Sequence, residues 1–155
     1  MKQRVPISQI MTKDLITLNL TQSLYEAESL FKKNKIRHIP VVENQKLLGV
    51  LSYSDLLKIS YADVEQSDDE EDVPVSAVVY DVFTISQVMT KAPLTVNPET
   101  TIKEVVEILS EHSFHSVPVV ENGELKGIVT TTDILRYLLQ QYLMDQYSLV
   151  NDHLY

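Results

Sequence analysis

Two short stretches carry the side chains whose types and spacing suit chemistry: Ser52, Ser54 and Asp55, and Thr130, Thr132 and Asp133. Each follows an apolar run opened by glycine, Gly49-Val50-Leu51 or Gly127-Ile128-Val129. The pattern predicts a strand that ends in hydroxyls and an aspartate just where a helix begins. A helix N-terminus presents unpaired N–H groups and a partial positive charge, so it seats anions. Hydroxyls and a carboxylate beside it suit a sugar, because vicinal hydroxyls can donate in pairs to one carboxylate. The chemistry expected is recognition of a ligand that is part sugar and part anion. The two aspartates stand 78 positions apart (133 − 55).

The same offset organises the rest of the chain. Ile7-Ser8-Gln9-Ile10-Met11-Thr12-Lys13 recurs as Ile85-Ser86-Gln87-Val88-Met89-Thr90-Lys91. Thr17-Leu18-Asn19 recurs as Thr95-Val96-Asn97, and Ile39-Pro40-Val41-Val42-Glu43-Asn44 as Val117-Pro118-Val119-Val120-Glu121-Asn122. The register runs without a gap from Ile7 to about Lys58, so the chain is a tandem duplication.

Each copy reads as strand–helix–strand–strand–helix. Ser23-Leu24-Tyr25-Glu26 and Thr101-Ile102-Lys103-Glu104 are capping boxes that open the first helices. Leu24, Ala27, Leu30 and Phe31, and Ile102, Val105, Val106 and Leu109, fall at helical spacing and are expected to be buried. β-Branched strands follow from Ile39 and Val117. Glu121-Asn122-Gly123-Glu124 predicts a tight hairpin, since Asn-Gly suits a type I′ turn. Glu43-Asn44-Gln45-Lys46, without the glycine, predicts a weaker one. The final helices are expected to start at Ser54 and Thr132. The last continues from Ile134 to Tyr147 with Leu135, Leu138, Leu139, Tyr142 and Leu143 along it, a stripe expected to be core or subunit interface.

The organisation is then residues 1–60 as repeat 1, 61–84 as connector, 85–145 as repeat 2 and 146–155 as tail. Neither repeat buries a sizeable core alone, so the copies are expected to pack together. The connector holds Ser67-Asp68-Asp69-Glu70-Glu71-Asp72, read as a solvated linker because the spacing and glycine of a calcium loop are missing. Val73 to Phe83 is too apolar for a free linker and is expected to lie on the folded body, as helix or extended chain.

Composition narrows the function. The 155 residues are 44% hydrophobic and 23% charged, with a net charge of −9, which argues against nucleic acid or an anionic membrane as partner. No cysteine is present, so disulfides and thiolate chemistry are excluded. No run approaches the roughly 20 apolar residues that span a bilayer, and the start lacks a signal-peptide core, so a cytoplasmic location is expected. There is no P-loop, no His-Glu-x-x-His, no cysteine nucleophile and no glycine-framed serine elbow. An enzyme is not expected, nor a metal site.

The tandem Met-Thr starts, the Thr-(Leu/Val) strands, the Pro-Val-Val strands and the Gly-x-x-(Ser/Thr)-x-(Ser/Thr)-Asp turns resemble the cystathionine β-synthase (CBS) domain. Two in tandem resemble a CBS pair, or Bateman module, an α/β fold packed about a pseudo-twofold. The resemblance covers nearly everything but the acidic linker and the last dozen residues. It implies a regulatory, non-enzymatic module that binds AMP, ADP or ATP as regulatory ligand rather than a cofactor, with S-adenosylmethionine or another adenosyl compound as the alternative. A second possibility is a structural dimerisation module with vestigial clefts. A homodimer through the helices and a regulated partner protein are also implied. No enzyme, channel or transporter domain is expected beside the pair, and the chain is expected to be the module itself.

Carried over residue by residue, the resemblance implies two clefts, each built from both repeats. The first takes Thr17, Arg37, His38, Ile39 and Pro40 with Ile128, Thr130, Thr132 and Asp133. The second takes Thr95, His115, Ser116, Val117 and Pro118 with Val50, Ser52, Ser54 and Asp55. The aspartates would accept from ribose hydroxyls, and backbone near the threonines would read adenine. Arg37, whose guanidinium can grip phosphate with two parallel hydrogen bonds, ranks the first cleft ahead for a phosphorylated ligand. His115 supplies charge only as pH allows. Lys13 and Lys91 are weaker cationic candidates, and His112 and His153 read as surface residues.

Overall fold

The computed structural model describes residues 4–62 and 75–151. The acidic run from Ser67 to Asp72 and His153 lie outside them. In chain order the elements are a 3-10 turn at Ile7–Gln9, α1 Leu24–Asn34, β1 His38–Glu43, β2 Lys46–Ser52, α2 Tyr53–Ala62, α3 Val75–Val82, α4 Ile85–Val88, β3 Thr90–Lys91, α5 Ile102–Glu111, β4 Ser116–Glu121, β5 Glu124–Thr130 and α6 Thr131–Asn151. The mixed α/β class and the doubled order agree with the sequence.

The chain folds as two compact units, and these exchange their opening segments relative to the sequence repeats. One unit holds Ile16–Pro93 with Gly123–Leu125; the other holds Met1–Leu15, Leu94–Asn122 and Lys126–Tyr155. In the first, Leu24, Ala27 and Phe31 of α1 close over Ile39, Val41 and Leu51, with Leu56, Val79, Tyr80 and Ile85 completing the core. Val75–Val82 of the apolar connector is therefore helix. In the second, Ile7 packs with Ile102, Val105, Val117, Val119, Val129 and Ile134. Val106, Leu109 and, in the first unit, Leu30 are partly buried against these cores.

The first helices start where the capping boxes place them. The Ser23 N–H donates to Glu26 Oε2 at 2.8 Å while the Glu26 N–H donates back to Ser23 Oγ at 3.2 Å. Thr101 and Glu104 repeat the exchange at 2.8 and 3.3 Å. These bonds hold both carboxyls below the ordinary glutamate value of 4.5, through the Ser23 N–H foremost at Glu26 and the Thr101 hydroxyl foremost at Glu104. Carboxylates with folded values below unfolded ones stabilise above 4.5, and that contribution is lost as pH falls through the lower folded values. Glu26→Gln/Glu104→Gln keeps a capping side chain and removes the titration. In an acid series of melting curves, its loss of Tm below pH 4.5 should be shallower than that of the unaltered chain.

Both hairpins turn on left-handed backbone. Asn122 and Gly123 have φ of 51° and 80°, and Asn44 and Gln45 have 47° and 70°. The missing glycine therefore leaves the turn geometry unchanged and places strain on Gln45 instead. An L-residue in this region costs about 1–2 kcal/mol, offset in part by the extra freedom glycine gives the unfolded chain. Gln45→Gly should stabilise by roughly 0.5–1 kcal/mol, read as a higher midpoint in urea unfolding with an unchanged slope.

One expectation is corrected and another narrowed. The opening strands at Thr17–Asn19 and Thr95–Asn97 shrink to single parallel bridges, Leu18 to Val41 and Val96 to Val119. The stripe on α6 is not core within the chain: Leu135, Leu138, Leu139, Tyr142, Leu143 and Met144 are all exposed. The helix itself runs to Asn151, past the expected end at Tyr147.

Candidate functional site

β2 ends at Ser52 and β5 at Thr130, and the helices begin one residue later, at Tyr53 and Thr131. The starts expected at Ser54 and Thr132 are therefore one residue late. Ser52 and Thr130 precede the first helical residue, which puts Asp55 and Asp133 at the third position of the first turn. The hydroxyl and carboxylate then satisfy each other. Ser52 Oγ donates to Asp55 Oδ2 at 2.5 Å and accepts from the Asp55 N–H at 3.1 Å. The Thr130 N–H and Oγ1 both donate to Asp133 Oδ2 at 2.9 Å, and the Asp133 N–H donates to Thr130 Oγ1 at 3.2 Å. One oxygen of each aspartate is thus committed to holding the helix start.

The other oxygen differs between the copies. Asp55 Oδ1 accepts from Lys58 Nζ at 3.1 Å. Asp133 Oδ1 has Arg136 Nη1 no nearer than 4.0 Å, too far for a hydrogen bond. The Asp133 side chain is 12% exposed, and Oδ1 reaches solvent without a hydrogen-bonded donor among the described residues. Burial pushes the Asp55 carboxyl up, but the hydrogen bonds from Ser52 and Lys58, with the charges of Lys58 and His38, outweigh it and hold it low.

Backbone bonds bring the remaining candidates to these turns. The Tyr53 N–H donates to Arg37 O at 2.9 Å and the Thr131 N–H to His115 O at 3.1 Å. His38 pairs with Ser52 across the ladder. Thr17 is set beside Pro40 because the Leu18 N–H donates to Pro40 O at 2.9 Å, and Thr95 beside Pro118 because the Val96 N–H donates to Pro118 O at 3.1 Å. Within one unit, then, Thr17, Arg37, His38 and Pro40 share a neighbourhood with Ser52, Ser54 and Asp55. Within the other, Thr95, His115, Ser116 and Pro118 share one with Thr130, Thr132 and Asp133.

Burial sorts these residues by role. Ile39 and Val117 are fully buried in the two cores, so their side chains hold the fold and only their backbone is available to a ligand. Val50 and Ile128 are buried outside those clusters. Arg37, Thr17, Thr95, His115, Ser54 and Thr132 are exposed. Ser54 Oγ lies 3.0 Å from Ser52 Oγ, whereas Thr132 makes no side-chain hydrogen bond among the described residues. Lys58 and Arg136 are not among the residues the motifs single out, although both stand three residues after an aspartate at the start of a helix, where side chains meet. A separate depression of about 360 Å³ is lined by residues 17–22 and 42–44. Of the candidates it includes only Thr17, and Glu43 makes it a poor seat for phosphate.

The family model of the CBS domain matches residues 7–62 and again 85–140. The chain belongs to the CBS domain family. Among curated proteins it is similar to inosine-5'-monophosphate dehydrogenase of Staphylococcus epidermidis, 38% identical over 121 residues. That match takes in 76% of this chain and 21% of the relative, so the chain spans about a fifth of the curated relatives it matches. Among solved structures it is similar to CBSX2 of Arabidopsis thaliana in a complex with AMP, at 26% identity and a TM-score of 0.71, covering 88% of this chain and 98% of that one. It is also similar to the CBS domain pair of MJ0100 in complex with 5'-methylthioadenosine and S-adenosyl-L-methionine. There the identity is 26% and the TM-score 0.72, over 89% of this chain and 98% of the other. No helix among the described residues is long and apolar enough to cross a membrane.

Proposed function

We propose that this CBS pair is a non-enzymatic regulatory module that binds an adenine nucleotide, AMP, ADP or ATP, at its aspartate turns. The observation that carries the reading is Asp133 Oδ1, an accessible carboxylate oxygen at a helix start with no hydrogen-bonded donor among the described residues. A ribose hydroxyl supplies that donor. In this reading Asp133, with Thr130 and Thr132, holds the ribose of one ligand, and Arg37 is the cation offered to a phosphate. Asp55, with Ser52 and Ser54, holds the ribose of a second. Two structural relatives in complexes with adenosine-containing ligands support that chemistry, and one of them makes S-adenosylmethionine the alternative ligand.

Calorimetric titration with AMP, ADP, ATP and S-adenosylmethionine tests the proposal. One at least should release or absorb heat, and at a hundredfold excess over Kd should stabilise the fold by ~2.7 kcal/mol. No heat and no rise in Tm with any of the four would sink it. Occupancy regulates only if the ligand prefers one of two states of the module, so the same titration should alter affinity for a regulated partner protein.

The exposed apolar residues of α6 favour a second reading, association with another copy of the chain. Removing Gln146 to Tyr155 and measuring mass in solution separates the two. Loss of a dimer together with no nucleotide binding in the intact chain leaves a structural module.

A further inference from the structure

We infer that Lys58 is a built-in competitor for the Asp55 carboxylate, making the two aspartate turns unequal in their affinity for a vicinal diol. This rests on the adenine-nucleotide reading and deepens it, since it names the residue that sets which turn is occupied first. The two turns share a hydroxyl-to-carboxylate bond and a backbone-to-hydroxyl bond, and a cation follows each aspartate at the same distance along the helix. What differs is where that cation's charge sits. Lys58 Nζ is 3.1 Å from Asp55 Oδ1, a charge-assisted bond to the oxygen that Ser52 leaves over. Arg136 Nη1 is 4.0 Å from Asp133 Oδ1, and both Thr130 donors converge on the other oxygen.

A ligand diol approaching Asp133 meets an oxygen with its acceptor capacity intact. At Asp55 it must share or displace an ammonium. An ammonium on a flexible four-carbon stem can fold back onto a carboxylate as a point charge, whereas a guanidinium presents a rigid planar fork. The Lys58 side chain is 75% exposed, so its hold on Asp55 is weak and displaceable by a ligand. It shifts occupancy by a small factor and leaves the turn usable.

The test uses adenosine, whose lack of phosphate prevents any gain or loss of an anion contact from masking the effect. On an Asp133→Asn background, which leaves only the Asp55 turn, Lys58→Met should tighten adenosine binding roughly two- to fivefold, the range that exposed ion pairs support. The gain should shrink at ~1 M salt, where screening has already weakened the pair. It should vanish when Asp55→Asn is added. A carbon NMR titration of Asp55 gives a readout independent of ligand: Lys58→Met should raise its midpoint, because one of the interactions that lowers it is gone. Unchanged binding, undetectable binding or an unmoved midpoint overturns the inference. Weaker binding also overturns it, and makes Lys58 a ligand contact. If the unaltered chain binds neither adenosine nor any of the four nucleotide ligands, the adenine-nucleotide reading fails and takes this inference with it. A chain that binds AMP but ignores Lys58→Met loses only the inference.

Discussion

Gly49→Ala should destabilise the fold by about 2–3 kcal/mol, lowering Tm by roughly 5–10 °C, because the site is filled already and one of its walls is backbone. A Cβ on Gly49 would stand 2.6 Å from both Met89 Sδ and Thr90 O. The thioether can rotate away. The Thr90 carbonyl cannot, because Thr90 and Lys91 form β3 and pair with Val50 and Gly49. Gly127 repeats the arrangement, with Met11 Sδ at 2.7 Å and Thr12 O at 2.9 Å, and Thr12 exchanges backbone hydrogen bonds with Ile128 at 2.8 and 3.0 Å. The slightly looser carbonyl makes Gly127→Ala the milder change, by about 1 kcal/mol. Adding Met89→Ala to Gly49→Ala should restore only part of the loss, since the carbonyl remains. Urea unfolding of the three variants checks this, and a Gly49→Ala chain within 0.5 kcal/mol of the original would refute the packing argument. The consequence reaches the site, because each glycine stands three residues before the hydroxyl that caps the following helix. A strand pushed off its partner there carries Ser52 or Thr130 with it.

Arg37→Ala and Asp133→Asn should each weaken AMP binding by about 10- to 100-fold, the range for losing a hydrogen bond to a charged group. Their signatures differ. Arg37 is exposed and makes no side-chain hydrogen bond or ion pair among the described residues, so its removal costs the fold little and should spare adenosine while impairing AMP. Asp133→Asn keeps an oxygen to accept from Thr130 and turns an N–H₂ toward the position of Oδ1. The cap survives, but the acceptor offered to ribose becomes a donor, so adenosine and AMP should suffer alike. Calorimetry with both ligands distinguishes the cases. AMP binding left intact in both variants would refute the proposal. Asp133→Ala, which also removes the acceptor for the Thr130 N–H and hydroxyl, should add a loss of stability of about 1 kcal/mol to the same binding defect.

How far the sequence reached depended on how local the cause was. Ser23 with Glu26 and Thr101 with Glu104 are bonded as the spacing requires, because a capping box closes within four residues. The Pro-Val-Val strands, the doubled element order and the burial of Phe31 and Val105 follow equally from short patterns and from the repeat. The missing glycine predicts a weaker Asn44-Gln45 turn, yet it takes the same left-handed backbone as Asn122-Gly123, since pairing Glu43 with Lys46 leaves a two-residue loop whose strand twist favours a primed turn. The family was legible as well, because its motifs occur twice in register.

Ser52, Ser54 and Asp55, with Thr130, Thr132 and Asp133, were determined by the sequence as the polar ends of two strands that run into helices. Their free capacity was decided only by tertiary structure. Whether a carboxylate oxygen faces its own cap, a lysine one turn on or no donor within bonding distance depends on rotamers that strand and helix geometry select together. The duplicated sequence makes the two turns look alike. A lysine and an arginine at equivalent positions, reaching their aspartates at 3.1 and 4.0 Å, make them different.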